Sequence, residues 1–563
     1  MSYTPLPIGV DDFEKLRTNG YYYVDKTGMI KELIDKKGEV NLFTRPRRFG
    51  KTLNLSMLQC FFEKREEKKS RKELFRGLQI MDAGESYTSL QERYPVVMLT
   101  LKSAKQPSYE LAHACLIEAV AREFRRHRLE GKLKDGIAKE KYIRIMNEKA
   151  SESEYLTSLA FLTECLREVY DQNTIVLIDE YDVPLENAFY AGFYNEMTAF
   201  IRSLFESVLK SNPYLEFAVV TGCLRISKES IFTGLNNLEI NSVLSKEYGE
   251  YFGFVEEEVK KLLSFYDREQ KMDIMREWYD GYLFGDAAVY NPWSVLKYTK
   301  DLNADSDALP MAAWSNTSSN SIIKDLIYRS DKVVQREIEL LVSGQTIEKQ
   351  VHEEITYEDI YASEDNLWNF LFYTGYLRQN GKRMMDDKIY LELAVPNREV
   401  RTIYRSQIEN WFRDEVKVQN LSVLYDGMLT GKVETFQKEL TYQLQKTISY
   451  MDNGESFYHG FLLGLMANLK EHFIKSNREA GFGRYDILIY SLDVSVSPVI
   501  LELKTADKYS GLDDACRRAL NQIEQMEYDK DLSEEGYTEV ICYGIGFFKK
   551  QLRIHMKRRK LND

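Results

Sequence analysis

Three stretches of this chain carry residue types that act on phosphate. The first is Arg45-Pro46-Arg47-Arg48-Phe49-Gly50-Lys51-Thr52. It follows the apolar, β-prone run Val40-Asn41-Leu42-Phe43-Thr44 and precedes residues 53–62, which are apolar at helical spacing. Strand, tight loop, Gly-Lys-Thr and helix predict a phosphate-binding loop. Backbone N–H groups at a helix N-terminus point at an anion, and the helix dipole favours negative charge there. Gly50 lets the backbone approach the phosphates, Lys51 is placed to reach the β and γ phosphates, and the Thr52 hydroxyl to hold Mg²⁺. The general pattern asks for glycine where this chain has Arg45.

The second stretch, Thr174-Ile175-Val176-Leu177-Ile178-Asp179-Glu180, reads as a buried strand ending in two acids. A buried parallel strand has no charge along its length, so acids at its C-terminal end sit where α/β sheets bind ligands. Asp179 is expected in the magnesium shell, and Glu180 is expected to polarise the attacking water. The third stretch is a pair of short strands, Tyr485-Asp486-Ile487-Leu488-Ile489-Tyr490 and Pro498-Val499-Ile500-Leu501-Glu502-Leu503-Lys504, joined by a loop over 491–497. Strand side chains alternate, so Glu502 and Lys504 share one face. A hairpin centred on Val494 sets Asp486 opposite Glu502, about 4.5–5.5 Å apart at Cβ. Two carboxylates that close repel unless a cation sits between them. Mg²⁺ takes carboxylate oxygens and substrate phosphate together, and Lys504 is placed to orient or deprotonate the attacking water. The chemistry is metal-assisted phosphodiester hydrolysis.

Positioning these residues takes several elements. The chain has 563 residues, enough for three or four domains with sizeable cores. Its net charge of −12 excludes a surface that coats nucleic acid everywhere, so any such contact is local. The densest basic run, Lys549-Lys550, Arg553 and Lys557-Arg558-Arg559-Lys560, reads either as such a contact or as a solvated tail. No signal peptide is expected from the first residues, and the longest apolar stretches are too short to span a bilayer. The six cysteines are scattered without a C-x-x-C pair, which predicts reduced thiols in a cytoplasmic protein without membrane partners.

Strand-like runs near 40–44, 96–101, 175–179 and 217–221 alternate with helical patterns, including 109–130 and 153–170. That alternation predicts an α/β domain over 1–254 with a mostly parallel sheet covered on both faces. Thr221, ending the strand after the acids, is placed to contact the γ-phosphate or position water, and Arg225 to sense the same phosphate. An ordinary strand-end turn is the alternative for both. The tyrosines of the entry segment read as an adenine contact or a packed cluster. Residues 255–345 read as a helical lid. Residues 346–450 read as a winged-helix-like module, with a helix over 367–377 and a hairpin around 381–387, followed by a helical connector. Trp368, Phe370, Phe372 and Tyr373 are its expected core. The last domain, 451–563, opens with a buried helix from Glu455 and is α/β.

Thr44 to Thr52, the earlier Tyr22-Tyr23-Val24-Asp25-Lys26-Thr27, and Leu177 to Asp182 together resemble the bacterial AAA-ATPase-like proteins, over nearly the whole chain. In that family an N-terminal ATPase is often joined to a C-terminal PD-(D/E)XK nuclease, and the phosphate loop looks like Arg-Pro-Arg-Arg-Phe-Gly-Lys-Thr. The resemblance implies nucleotide contacts from Arg45, Arg47, Arg48, Phe49, Gly50, Lys51, Thr52, Asp179, Thr221 and Arg225. It also implies a nuclease metal site of Glu455, Asp486 and Glu502, with Lys504 catalytic and Gln522 auxiliary. His459, one helical turn after Glu455, reads as a packed core histidine, and His472 has no assigned role. The expected cofactors are ATP and Mg²⁺. The expected partner is nucleic acid, DNA by resemblance with no residue excluding RNA, and self-association is compatible with the chain. The alternative is a nucleotide-driven switch or scaffold whose nuclease-like domain binds without cutting.

Overall fold

The computed structural model describes residues 4–561 apart from 66–68, 226–230, 233, 317–322, 324–331, 353–355, 358–359, 361–362, 419, 447–454, 467–468, 470–471, 477–478, 481–482, 485, 527–531 and 534. Some further side chains, that of Glu455 among them, lie outside the description. The chain divides into two compact units, one of residues 1–316 with 348–400 and one of residues 317–347 with 401–563.

The first unit is built on β1 (Val40–Thr44), β2 (Val96–Thr100), β3 (Thr174–Asp179), β4 (Leu215–Gly222) and β5 (Leu238–Asn241), in the order β2-β3-β4-β1-β5. Every neighbouring pair is parallel. β1 and β3 are buried along their whole length, which is why their sequences are almost unbroken apolar runs. Because the strands run the same way, the loop after β1 and the acids after β3 reach the same edge of the sheet. β4 lies between those two strands, with Thr221 paired to Phe43. β5 is short and only partly buried, so it lacks the apolar run that betrays the other four. The helix expected over 153–170 is two helices, Glu152–Leu156 and Ser158–Tyr170, parted at Thr157.

The region expected to be a helical lid has the helices Glu256–Phe265, Met272–Tyr279 and Pro292–Ala304, but a hairpin interrupts them: β6 (Tyr282–Phe284) and β7 (Ala287–Val289). Gly285 makes the turn with φ +58°, and a Cβ there would lie 2.5 Å from the Ser245 carbonyl oxygen. Next come β8 (Ile347–Val351), helix Glu364–Tyr373, β9 (Arg378–Met385) and β10 (Lys388–Ala394), in a sheet ordered β8-β10-β9. The β9–β10 turn is Asp386-Asp387, both at positive φ, so Gly381 lies within a strand rather than at the tip. Trp368, Phe370, Phe372 and Tyr373 are buried as expected.

The second unit carries β11 (Phe473–Ser476), the two-residue strands β12 (Glu479–Ala480) and β13 (Gly483–Arg484), then β14 (Ile487–Tyr490), β15 (Val499–Thr505), β16 (Glu539–Phe548) and β17 (Gln551–Lys560). Its main sheet runs β11-β14-β15-β16-β17 and is mixed, since only β15 and β16 are parallel. A parallel pair needs a crossover, supplied here by helix Leu512–Gln525. That helix presses on β16 at Gly544 and Gly546, where a Cβ would meet the Cys516 and Leu512 carbonyl oxygens at 2.4 and 2.5 Å. The other face of the sheet, with Leu501 and Leu503, packs against helix Glu455–Met466. Leu424, Met428, Phe436 and Leu440 join that same core, so the helices expected as a connector cover the sheet as well. Of the C-terminal basic run, Lys549 and Lys550 make the turn before β17 and the rest lies on β17, an edge strand. Arg553 and His555 face Asp513, Lys557 pairs with Glu524 and Arg558 with Glu539, which is how an edge strand is kept from pairing with another chain.

Candidate functional site

The candidate phosphate loop turns on two left-handed residues, Arg48 at φ +68° and Gly50 at φ +83°. Gly50 then caps helix Lys51–Phe62. Lys51 is buried, and its Nζ donates to the carbonyl oxygens of Arg45 (2.8 Å) and Pro46 (2.9 Å). The ammonium thus lies inside the loop that it would share with an anion.

Thr52 Oγ1 donates to Asp179 Oδ2 at 2.7 Å, and Thr221 Oγ1 donates to Asp179 Oδ1 at 2.7 Å. One carboxylate on β3 therefore gathers hydroxyls from helix Lys51–Phe62 and from β4, three sequence regions that meet only because β4 lies between β1 and β3. Glu180 follows with φ +52°, so its side chain leaves the line of the strand. Burial, with Asp179 adding to it, raises its carboxyl above the ordinary range. Asp182 Oδ2 accepts from the Cys223 N–H (2.7 Å) and the Leu224 N–H (3.2 Å), which holds the turn leading to Arg225. Asp182 was not singled out in the sequence, although it stands three residues past Asp179 in the same acidic turn.

The other loop side chains divide. Arg47 pairs with Glu186, and the Arg48 guanidinium lies 4.0 Å above the Trp293 ring. Arg45 and Phe49, expected among the nucleotide contacts, turn their side chains into the interior instead. Arg45 donates to the Asn241 (2.6 Å) and Thr44 (2.9 Å) carbonyl oxygens between the rings of Phe252 and Phe284. Burial lowers its guanidinium to about 9. Phe49 packs edge-on against Tyr282, 4.9 Å between centroids. The residue standing at the position of the missing glycine thus faces away from the loop's concave side. Tyr23, in the entry segment, packs on Phe13 at 5.3 Å, the packed-cluster alternative.

In the second unit the strand register is the expected one. Ile487 pairs with Leu501 and Ile489 with Val499, so the next step outward sets Asp486 across from Glu502. The ladder ends there with side chains in place of backbone: the Leu503 N–H donates to Asp486 Oδ2 at 2.8 Å, and the Asp486 N–H to Glu502 Oε2 at 3.4 Å. Glu502 is wholly buried, and Lys504 Nζ lies 3.4 Å from its Oε1. Burial, then the Asp486 charge, raises the Glu502 carboxyl to about 8 despite Lys504. A buried acid pushed up by a second acid is a donor set that fits a divalent cation. Among the described residues no group of three His, Cys, Asp or Glu converges for a metal. The Glu455 side chain lies outside the described residues. Gln522 stands on helix Leu512–Gln525, on the face of the sheet that carries Glu502. His459, expected as a packed core histidine, sets its Nε2 3.0 Å from the Asp486 carbonyl oxygen.

Among the described residues no helix is long and apolar enough to cross a membrane. Residues 7–232 match the family model of predicted AAA-ATPases, and residues 453–557 match that of the PD-(D/E)XK nuclease superfamily. The chain is 32% identical over 303 residues to the "Uncharacterized protein in vnfD 5'region" of Azotobacter chroococcum mcd 1. That likeness covers 53% of this chain and 52% of the relative, so the chain spans about half the length of the curated relative it matches.

Proposed function

From a chain that joins an AAA-ATPase-like domain to a PD-(D/E)XK nuclease-superfamily domain, we propose an ATP-hydrolysing nuclease that cuts phosphodiester bonds, with DNA the first substrate to test. The observation that supports it most is the Asp486–Glu502 pair beside Lys504, a buried carboxyl set against a second acid and a lysine. Asp486 and Glu502, with Glu455, would hold Mg²⁺, which when bound neutralises the phosphate and activates water. Lys504 orients the attacking water from the same strand face, so that a P–O bond forms to that water and the ester P–O bond breaks, the leaving oxygen taking a proton.

In the ATPase, the N–H groups around Gly50 and the Lys51 ammonium bind the β and γ phosphates. Thr52 and Asp179 would hold Mg²⁺, which when bound offsets the phosphate charge. Thr221 keeps Asp179 oriented, and Glu180 polarises water at the γ-phosphate. Arg225, following β4, would sense that phosphate, with Arg47 and Arg48 contributing from the loop. A cytoplasmic setting goes with the free cysteines.

The test is a double dissociation on the full-length chain. Asp486→Asn should abolish metal-dependent cleavage of a mixed DNA and RNA panel while ATP hydrolysis persists. Lys51→Ala should weaken ATP binding. Wild-type cleavage in Asp486→Asn overturns the nuclease assignment, and unchanged ATP affinity in Lys51→Ala overturns the phosphate loop.

A further inference from the structure

We propose that His459 is a positioning residue for the nuclease carboxylates, acting through the backbone of Asp486; the inference rests on the nuclease reading above. Asp486 stands just before β14, where the ladder to β15 runs out and its neighbour β11 ends at Ser476, which pairs with Ile487. A carbonyl just beyond the ladder can be served by a side chain. Here that side chain is His459, one turn after Glu455 in helix Glu455–Met466, with Nε2 3.0 Å from Asp486 O. A carbonyl oxygen only accepts, so Nε2 carries the proton, and Ser476 Oγ, 3.0 Å from the same nitrogen, shares it as a second acceptor.

Asp486 is thereby gripped from two sides. The Leu503 N–H holds its carboxylate at 2.8 Å, and the imidazole holds its peptide. The grip has a purpose that packing does not supply. Once both carboxylates ionise they repel, and without the grip Asp486 would swing away from the buried Glu502 and widen the pair. The same helix carries Glu455 one turn before His459, so the grip also ties the segment bearing the third expected acid to the strand bearing the first.

Mn²⁺ titration of the full-length chain tests this directly. His459→Phe keeps a ring but removes the donor, and His459→Gln restores an N–H at similar reach. The expected result is Mn²⁺ affinity about tenfold weaker in His459→Phe, largely restored in His459→Gln. Cleavage kcat should fall alongside, with nucleic-acid KM and ATP hydrolysis unchanged. Loss of Mn²⁺ binding in Asp486→Asn with wild-type affinity in His459→Phe overturns the positioning role. Equal losses in the Phe and Gln variants also overturn it, since packing rather than the N–H would then be responsible. Wild-type Mn²⁺ affinity in Asp486→Asn overturns the metal-site reading itself, and the positioning role with it.

Discussion

The two acid sites of this chain solve opposite electrostatic problems. Asp179 is surrounded by donors, with the hydroxyls of Thr52 and Thr221 on its two oxygens. Glu502 faces another carboxylate, and its closest cation, Lys504, stands at the long distance of 3.4 Å. The first carboxylate is held in place by neutral groups before any ion arrives. The second is held in a buried position that raises it to about 8, so it keeps its proton until a cation replaces it. Preorganised hydroxyls suit the repeated nucleotide binding and release proposed for the first site, whereas a buried acid pair suits the metal dependence proposed for the second.

The largest effect that can break this comparison is at the nuclease carboxylates. Glu502→Gln should abolish cleavage and weaken Mg²⁺ or Mn²⁺ binding, as Asp486→Asn should. Lys504→Ala should leave metal binding intact, because an ammonium is no ligand, and lower the cleavage rate about 10²–10⁴-fold. Metal titration beside cleavage kinetics separates the two, and equal metal loss in all three variants would make Lys504 a structural partner.

A comparable effect is expected at Glu180. Glu180→Gln should leave ATP affinity near wild type and slow hydrolysis about 10²–10⁴-fold, because an amide polarises water poorly. Nucleotide titration and phosphate release measure the two terms. A matching fall in affinity would place Glu180 in the binding shell instead.

A smaller effect follows from the raised carboxyl. Glu502 is protonated in the folded unit up to about pH 8, whereas in the unfolded chain it ionises near 4.5. Between those values the folded state holds more protons, so the metal-free protein should lose stability as pH rises through that window. Melting curves from pH 5 to 9 in chelator should show this slope in the wild type and a flatter one in Glu502→Gln. Adding Mn²⁺ near pH 7 should release a proton, visible as buffer-dependent binding heat. The same slope in both proteins would remove Glu502 as its source.

The smallest effect is at Arg45. Its side chain faces the interior, so Arg45→Met should change ATP affinity by less than about threefold, while thermal stability shifts by about 1–3 kcal/mol from the carbonyls left without a donor. A large loss of ATP affinity with unchanged melting would restore Arg45 to the nucleotide contacts.

Much of this was legible in the chain before folding. Buried parallel strands need apolar runs, and so 40–44 and 174–179 announced themselves, together with the loop and the acids at their ends. Strand alternation and a loop of known length were enough to set Asp486 against Glu502, because a hairpin register follows from its midpoint. β5 and the hairpin at 282–289 were not legible, since strands of four and three residues are too short for a periodic pattern. What only the tertiary structure decided is which way side chains turn and which distant groups meet. The sequence Arg-Pro-Arg-Arg-Phe does not say that Arg45 and Phe49 face inward, because φ +68° at Arg48 rather than residue type aims the loop. Nor does it say that Thr221 reaches Asp179 or that His459 reaches Asp486. Those contacts span 42 and 27 residues, and they exist because β4 inserts between β1 and β3 and because helix Glu455–Met466 brings His459 to the residue before β14.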